Sequence, residues 1–417
     1  MRRIVRILVI AISIFCLSIN YSVAQVFSKD TLTLDMAIKR ALDSNPEIAS
    51  MKKKIEVAEA RLLQSGLIPN PQLSVDAENI LGSNEFSGFR GSEITMGISQ
   101  DIALSSKISN RVKVSEINVE LMKHEYMRKR LEIKSAVRSK FVDLTFLSKL
   151  ISRNTELLTL TGEFVENLQL RVQAGKISPA EVARAELILN SIDLNIQNIK
   201  SKYINTLNEL GTLLNLNNTE KLIIVGDHEV VEFIPYQRLK NLSLDFNLEL
   251  QKLKIELLKQ KAVIDLEKSL SIPPINLFVG IKRLNELSAN TFVLGTSIPL
   301  PVFDRNQGGI NASLMELESL EKEYEALENN LKQKLKSLSN NLKILFDSAK
   351  KLKTKSLPSA EKAYEIIKEG NEVGRFTILD VLDAQRTLIE IENQYLNIVR
   401  NANKIIVEIE TLINSKI

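Results

Sequence analysis

The stretch INLFVGIKRLNELSANTFVLGTSI, residues 275–298, decides how this chain is read. Ile275, Leu277, Val279 and Ile281 alternate with Asn276, Phe278, Gly280 and Lys282. After the polar connector 283–290, Phe292, Leu294, Thr296 and Ile298 alternate with Val293, Gly295 and Ser297. A period of two predicts β-strands with one apolar face and one polar or small face. Each run is about 8–10 residues long, the length of a tilted membrane-crossing β-strand.

These strands stand in an otherwise helical sequence. Among 417 residues there are 15 Gly, 10 Pro and no Trp, while Leu, Ile, Lys, Glu and Asn fill long uninterrupted stretches. That composition favours long helices over a compact mixed fold.

The N-terminus reads as a signal peptide, residues 1–24. MRRIVR is its basic start, residues 7–19 are its apolar run, and Ser22-Val23-Ala24 is a small-x-small site, with cleavage between Ala24 and Gln25. Thirteen apolar residues are too few to span a bilayer, which takes about 20. Cys16, the only cysteine, follows Phe15 and not the small residue of a lipoprotein box. It leaves with the signal, so no disulfide is expected. Cleavage also removes Arg2, Arg3 and Arg6 and no acid, leaving 52 basic against 51 acidic residues. Such a balance carries no nucleic-acid footprint. No later run reaches 18 apolar residues, so no membrane-spanning helix is predicted.

The chain is written twice. AGKISPAEVARAELIL (174–189) matches VGRFTILDVLDAQRTL (373–388) at an offset of 199, and residues 44–75 match 245–278 more loosely, near 202. So long a period is a duplicated half-protein rather than a solenoid repeat. The halves are 25–220 and 221–417. Each runs as a helix (34–66; 238–271), a β-hairpin (about 71–102; 275–301), a very long helical tract (about 105–173; 308–372) and a closing helix (178–215; 377–415). A tract of that length reaches roughly 100 Å. Leu317, Leu320, Tyr324, Leu327, Leu331, Leu335, Leu338, Leu342 and Leu345 recur at coiled-coil spacing, and Pro358 is expected to kink the second rod.

The first half holds its own strands, QLSVDAE (72–78) and EITMGISQ (93–100), with the same alternation around the polar connector 82–91. One such hairpin is ordinarily a surface hairpin on a soluble core. Two matched hairpins of bilayer length on an exported chain favour a membrane. A periplasmic coiled-coil adaptor or scaffold would account for the signal and the rods but not for the hairpins. Four strands cannot close a barrel, and a strand edge exposed to lipid is not viable. Several copies must therefore contribute. Two give eight strands with a filled interior, and three give twelve with room for a lumen.

Nothing in the sequence points to an enzyme. No catalytic or cofactor-binding motif is present, His124 and His228 stand apart, and no metal-ligand spacing occurs.

Over residues 30–415 the chain resembles the TolC-like outer membrane efflux proteins. LTLDMAIKRALDSNPEI (32–48), GLIPNPQLSV (66–75), RVQAGKISPAEVARAE (171–186), IPLPVFDRNQGGI (298–310) and GRFTILDVLDAQ (374–385) carry the resemblance together. The fourth of these is most similar to the CzcC-like branch, which serves resistance-nodulation-division (RND) pumps for heavy-metal cations. The resemblance implies a homotrimer with a twelve-stranded β-barrel among the lipids of the Gram-negative outer membrane. It implies a coiled-coil-like α-helical barrel in the periplasm that docks with a membrane-fusion adaptor and an inner-membrane pump. Type I protein secretion or drug efflux are alternative duties for such a channel. The adaptor would meet the tips at Gly175, Lys176, Gly374 and Arg375. Glycine at a helix end that needs a left-handed residue is also the full structural explanation of the two turns.

Two acids near the second tip carry different expectations. Thr377 and Asp380 have the spacing of a capping box, as Ser178, Pro179 and Glu181 open the matching helix in the first half. Asp383 lies beyond the first turn, and its counterpart is Arg184. By the resemblance, Asp380 and Asp383 are rings narrowing the periplasmic mouth, with Glu181, Arg184 and Arg375 as possible partners in holding it shut.

Overall fold

The computed structural model describes residues 30–104, 106–226, 238 and 244–415. The signal segment with Ala24 and Gln25, and His228, lie outside the described residues. The first half comprises β1 (Asp30–Leu32), α1 (Leu34–Ser44), α2 (Pro46–Ser65), β2 (Gln72–Glu78), β3 (Glu93–Ile102), α3 (Lys107–Gln173) and α4 (Pro179–Leu213). The second comprises β4 (Leu222–Ile224), α5 (Leu248–Leu270), β5 (Ile275–Leu284), β6 (Ala289–Ser297), α6 (Gln307–Lys351), α7 (Leu357–Glu372) and α8 (Ile378–Ile413). The chain is mostly helical with four long strands, as its periodicities predict.

The 67 residues of α3 are the spine. Its first part packs on α2 and α5, its later part on α4, and α8 crosses its middle. Asp143 of α3 is buried and accepts from Arg400 (2.6 Å) and Lys404 (3.1 Å) of α8. Arg138 pairs with Glu410 one turn of α3 away. A buried carboxylate held by two cations is costly to break, because truncation leaves like charges facing each other.

The single helix expected over 34–66 is two. Asn45 ends α1 and caps α2, its Oδ1 accepting from the amides of Glu47 (2.9 Å) and Ile48 (3.4 Å), with Pro46 in the first turn. Its Nδ2 donates to the carbonyl of Leu213 (3.1 Å). One side chain therefore satisfies both the end of α4 and the start of α2, which an asparagine can do because it carries donor and acceptor. The second half repeats the device. Asn247 accepts from Glu249 and Leu250 and donates to Leu412 (2.8 Å), so α5 begins at Leu248 and not at 238. The core gathers round the first joint: Ala37, Ala41, Ile48, Val137, Phe141, Leu144 and Leu210 are buried together. A second core joins Leu335, Leu338 and Leu342 of α6 to Ala402, Ile406 and Ile409 of α8. The predicted seam of α6 is buried there and only half-buried from Leu317 to Leu327.

Pro358 interrupts the second rod through a π-helical turn at Leu352–Ser356. Proline has no amide hydrogen for the preceding turn, and one wide turn absorbs that loss without ending the helix. The ends of the other expected helices and strands fall within a few residues of those observed. The short parallel pair β1–β4 has no counterpart in the sequence expectations.

The two hairpins join into one antiparallel sheet in the order β2-β3-β5-β6. Register places Val75, Met96, Ile281 and Phe292 in one cross-strand row, and Leu73, Ile98, Val279 and Leu294 in the next. All eight are exposed, Phe292 by 81% and Leu294 by 80%. The opposite face carries the rows Asp76-Thr95-Lys282-Thr291, Ser74-Gly97-Gly280-Val293 and Gln72-Ser99-Phe278-Gly295. The apolar face is thus exposed, the reverse of a sheet on a soluble core. Beyond Ser297 the expected hairpin continues only as the proline-bearing link 298–306, since proline cannot donate to a ladder.

Candidate functional site: the hairpin tips and the sheet

At the first tip α3 ends at Ala174, and Gly175 takes φ +67°. The amides of Gly175 and Lys176 donate to Val172 (2.9 Å) and Arg171 (2.9 Å), closing a Schellman turn. The second tip is built alike: Gly374 has φ +76°, and the amides of Gly374 and Arg375 donate to Asn371 (3.1 Å) and Gly370 (2.8 Å). Lys176 and Arg375 both follow the glycine with exposed side chains. Each tip therefore presents one cation to solvent at the turn.

The helices that leave the turns are capped differently. Ser178 accepts from the amide of Ala180 (3.2 Å), with Pro179 in the first turn of α4. Thr377 and Asp380 form the full capping box. The Thr377 hydroxyl accepts from the Asp380 amide (3.3 Å), and the Asp380 carboxylate accepts from the Thr377 amide (2.7 Å) and hydroxyl (2.6 Å). The hydroxyl first, and then the amide, hold the Asp380 carboxyl below the usual carboxylate range. Asp380 is ionised wherever the protein works near neutral pH.

Packing sets which way the acids face. Ile378 and Leu382 of α8 are buried against Val165 and Leu168 of α3 and Ala185 of α4. Asp380, Asp383 and Arg386 consequently lie on the exposed side of α8. Asp383 stands 3.8 Å from Arg386, both largely exposed, and such a pair contributes only about 0–1 kcal/mol. Arg184 faces Glu181 (3.5 Å) within α4. Within one protomer, then, the acids are not brought to Arg184 or Arg375. Arg386 was not among the expected partners, although its i,i+3 spacing from Asp383 was there to be read.

A second missed contact ties the tips together. Buried Asn371 donates to the carbonyl of Phe376 (2.9 Å) and accepts from Arg171 of the first tip (3.5 Å). The two turns are therefore one coupled unit at the end of the bundle.

At the far end, Lys282 on the polar face of the sheet pairs with Glu78 (2.7 Å) and with Glu93. Among the described residues no three His, Cys, Asp or Glu side chains converge as a metal site. His124 is half-buried on α3.

Comparison with known proteins agrees with this geometry. The family model described as outer membrane efflux protein matches residues 37–216 and 239–415. The chain is 28% identical to the cobalt-zinc-cadmium resistance protein CzcC of Cupriavidus metallidurans, over 93% of this chain and 94% of that one. It is 22% identical to the nickel-cobalt-cadmium resistance protein NccC of Alcaligenes xylosoxydans xylosoxydans, over 66% and 62%. The outer membrane protein VceC of Vibrio cholerae superposes with a TM-score of 0.75 at 17% identity, over 92% of this chain and 96% of that one. A four-stranded sheet with an exposed apolar face, paired helix-turn-helix tips and a family match over both halves converge: this chain belongs to the TolC-like outer membrane efflux protein family, channels of the Gram-negative outer membrane with a helical barrel in the periplasm.

Proposed function

We propose that three copies of this chain form the outer-membrane channel of a tripartite system that exports metal cations. The observation that carries the reading is the sheet. Among the described residues its edges β2 and β6 have no partner strand, and its apolar rows are exposed. In a bilayer such edges must pair, and copies of the same sheet pair them without a seam. Three copies close twelve strands around a lumen lined by the polar face. The lipid of the outer membrane covers the apolar rows. Kinship with cobalt-zinc-cadmium and nickel-cobalt-cadmium resistance proteins supports a metal cargo, and an RND pump with its adaptor supplies it.

The helical barrel ends at the coupled tips, where Gly175, Lys176, Gly374 and Arg375 meet the adaptor. Three copies of Asp380 and Asp383 gather around the axis there. Like charges so placed repel each other and draw cations in, while Glu181, Arg184 and Arg375 of neighbouring copies are available to hold the mouth shut. The halves 25–220 and 221–417 descend from one duplicated unit, and the matched joints at Asn45 and Asn247 support this. Residues 1–24 direct export and are removed between Ala24 and Gln25.

A deletion strain tests the cargo. Loss of tolerance to cobalt, zinc or cadmium with unchanged tolerance to drugs is expected, and the opposite pattern means the cargo is wrong. Planar-bilayer recordings test the gate: Asp383→Asn, which leaves the cap intact, should lower cation selectivity. Unchanged selectivity and conductance would remove Asp383 from the gate.

A further inference from the structure

We infer that Phe278 sets the bore of the passage through the outer membrane, and that Gly97 and Gly280 are glycine so that its ring can lie flat. The inference rests on reading the polar face of the sheet as the lumen wall. On that face Phe278 is the one aromatic residue, in a row with Ser99 and Gly295. Its ring lies along the sheet over the neighbouring Gly97-Gly280 pair.

The fit leaves no room for a methyl group. A Cβ on Gly97 would stand 2.3 Å from Cζ and 2.5 Å from Cε2 of Phe278. A Cβ on Gly280 would stand 2.9 Å from the same Cζ. The two backbones also approach closely there, since those Cβ positions lie 2.8 Å from the Val279 carbonyl and 2.9 Å from the Met96 carbonyl. Gly295, across the other ladder, differs: its Cβ would be 3.6 Å from the Cβ of Phe278, an ordinary contact. With either of the first two positions filled, the sheet blocks the ring from below. Its free direction is then away from the wall, into the lumen.

Covering glycine with an aromatic ring also stabilises a sheet. That role alone predicts a change in stability and none in bore. In a ring of copies Phe278 recurs once per copy at one height, so three flat rings leave the lumen wide and three upright rings narrow it together. Bulky metal complexes feel such a change and small ions hardly do.

Site-specific labelling separates the two roles, because the only cysteine, Cys16, lies in the segment read as the signal. Ser297 is on the same face, one step nearer the helical end than Phe278, and opposite Asn276. Ser297→Cys in whole cells is exposed from outside to membrane-impermeant thiol reagents of graded size. Phe278→Ala should speed labelling by the largest reagents and leave the smallest unchanged. Gly97→Ala should slow the largest about tenfold, and Gly295→Ala should not. If Gly97→Ala fails to reach the outer membrane, Phe278→Ala alone decides. Labelling by the largest reagents that is no faster in Phe278→Ala than in the unaltered background overturns the inference. Failure of even the smallest reagent to reach Ser297→Cys in the unaltered background overturns the lumen reading itself.

Discussion

The two ends of this molecule obey opposite burial rules. At the tips, apolar Ile378 and Leu382 turn inward against Val165 and Leu168, and the charges Asp380, Asp383 and Arg386 turn outward. At the sheet, Phe292 and Leu294 turn outward while Asp76, Thr95 and Lys282 share the face that lines the lumen in the proposed ring. The difference teaches that the alternation of apolar and polar residues fixes a face but not its surroundings. Water surrounds the tips, and in the proposed ring hydrocarbon covers only the apolar face of the sheet.

The largest expected effect comes from forcing the water rule on the sheet. Leu294→Arg puts a guanidinium among lipid tails and should cost about 2–4 kcal/mol near the bilayer midplane. Its neighbour Val293 lies on the other face, so Val293→Arg should fold and insert nearly as the parent does. Heat-modifiable mobility after refolding into vesicles measures both. Equal loss in the two variants would contradict the assignment of faces.

A smaller effect belongs to the turns. Gly374→Ala places a Cβ at φ +76° and should cost about 1–2 kcal/mol. Hydrogen exchange over 370–380 should accelerate while exchange in the strands stays the same. Acceleration in both places would mean that tip and sheet unfold as one unit.

The smallest effect is electrostatic. The Asp380 carboxyl lies below its ordinary value of 3.8 because Thr377 donates to it. Its contribution is therefore present above the unfolded value and is lost as pH falls through the lower folded value, below about pH 4. Carboxyl NMR titration should find the Asp380 midpoint depressed in the parent and returned towards the ordinary value in Thr377→Val. An unmoved midpoint would contradict the cap as its cause.

Much of this was legible beforehand, for identifiable reasons. Period-two alternation located all four long strands, because each faces one medium on each side. Gly175 and Gly374, followed by Ser178 and Thr377, marked the turns and caps. The break at Asn45 was written as Asn-Pro but hidden by apolar spacing that continues through it, and only the partner carbonyl of Leu213 explains the residue. The parallel pair β1–β4 is too short to carry a period. Asp383 was legible as an acid beyond the cap, and the i,i+3 spacing of Arg386 was readable too, whereas the tie from Arg171 to Asn371 depends on tertiary contact. The glycine bed of Phe278 needed the register between β3 and β5, which no single strand specifies.

The central claim is that copies of this chain complete the open sheet around a lumen. Native mass spectrometry of the protein released from the outer membrane in mild detergent counts them directly. Three chains per particle is the predicted result. A lone chain with its edges unpaired, or a pair whose eight strands leave no lumen, would contradict it.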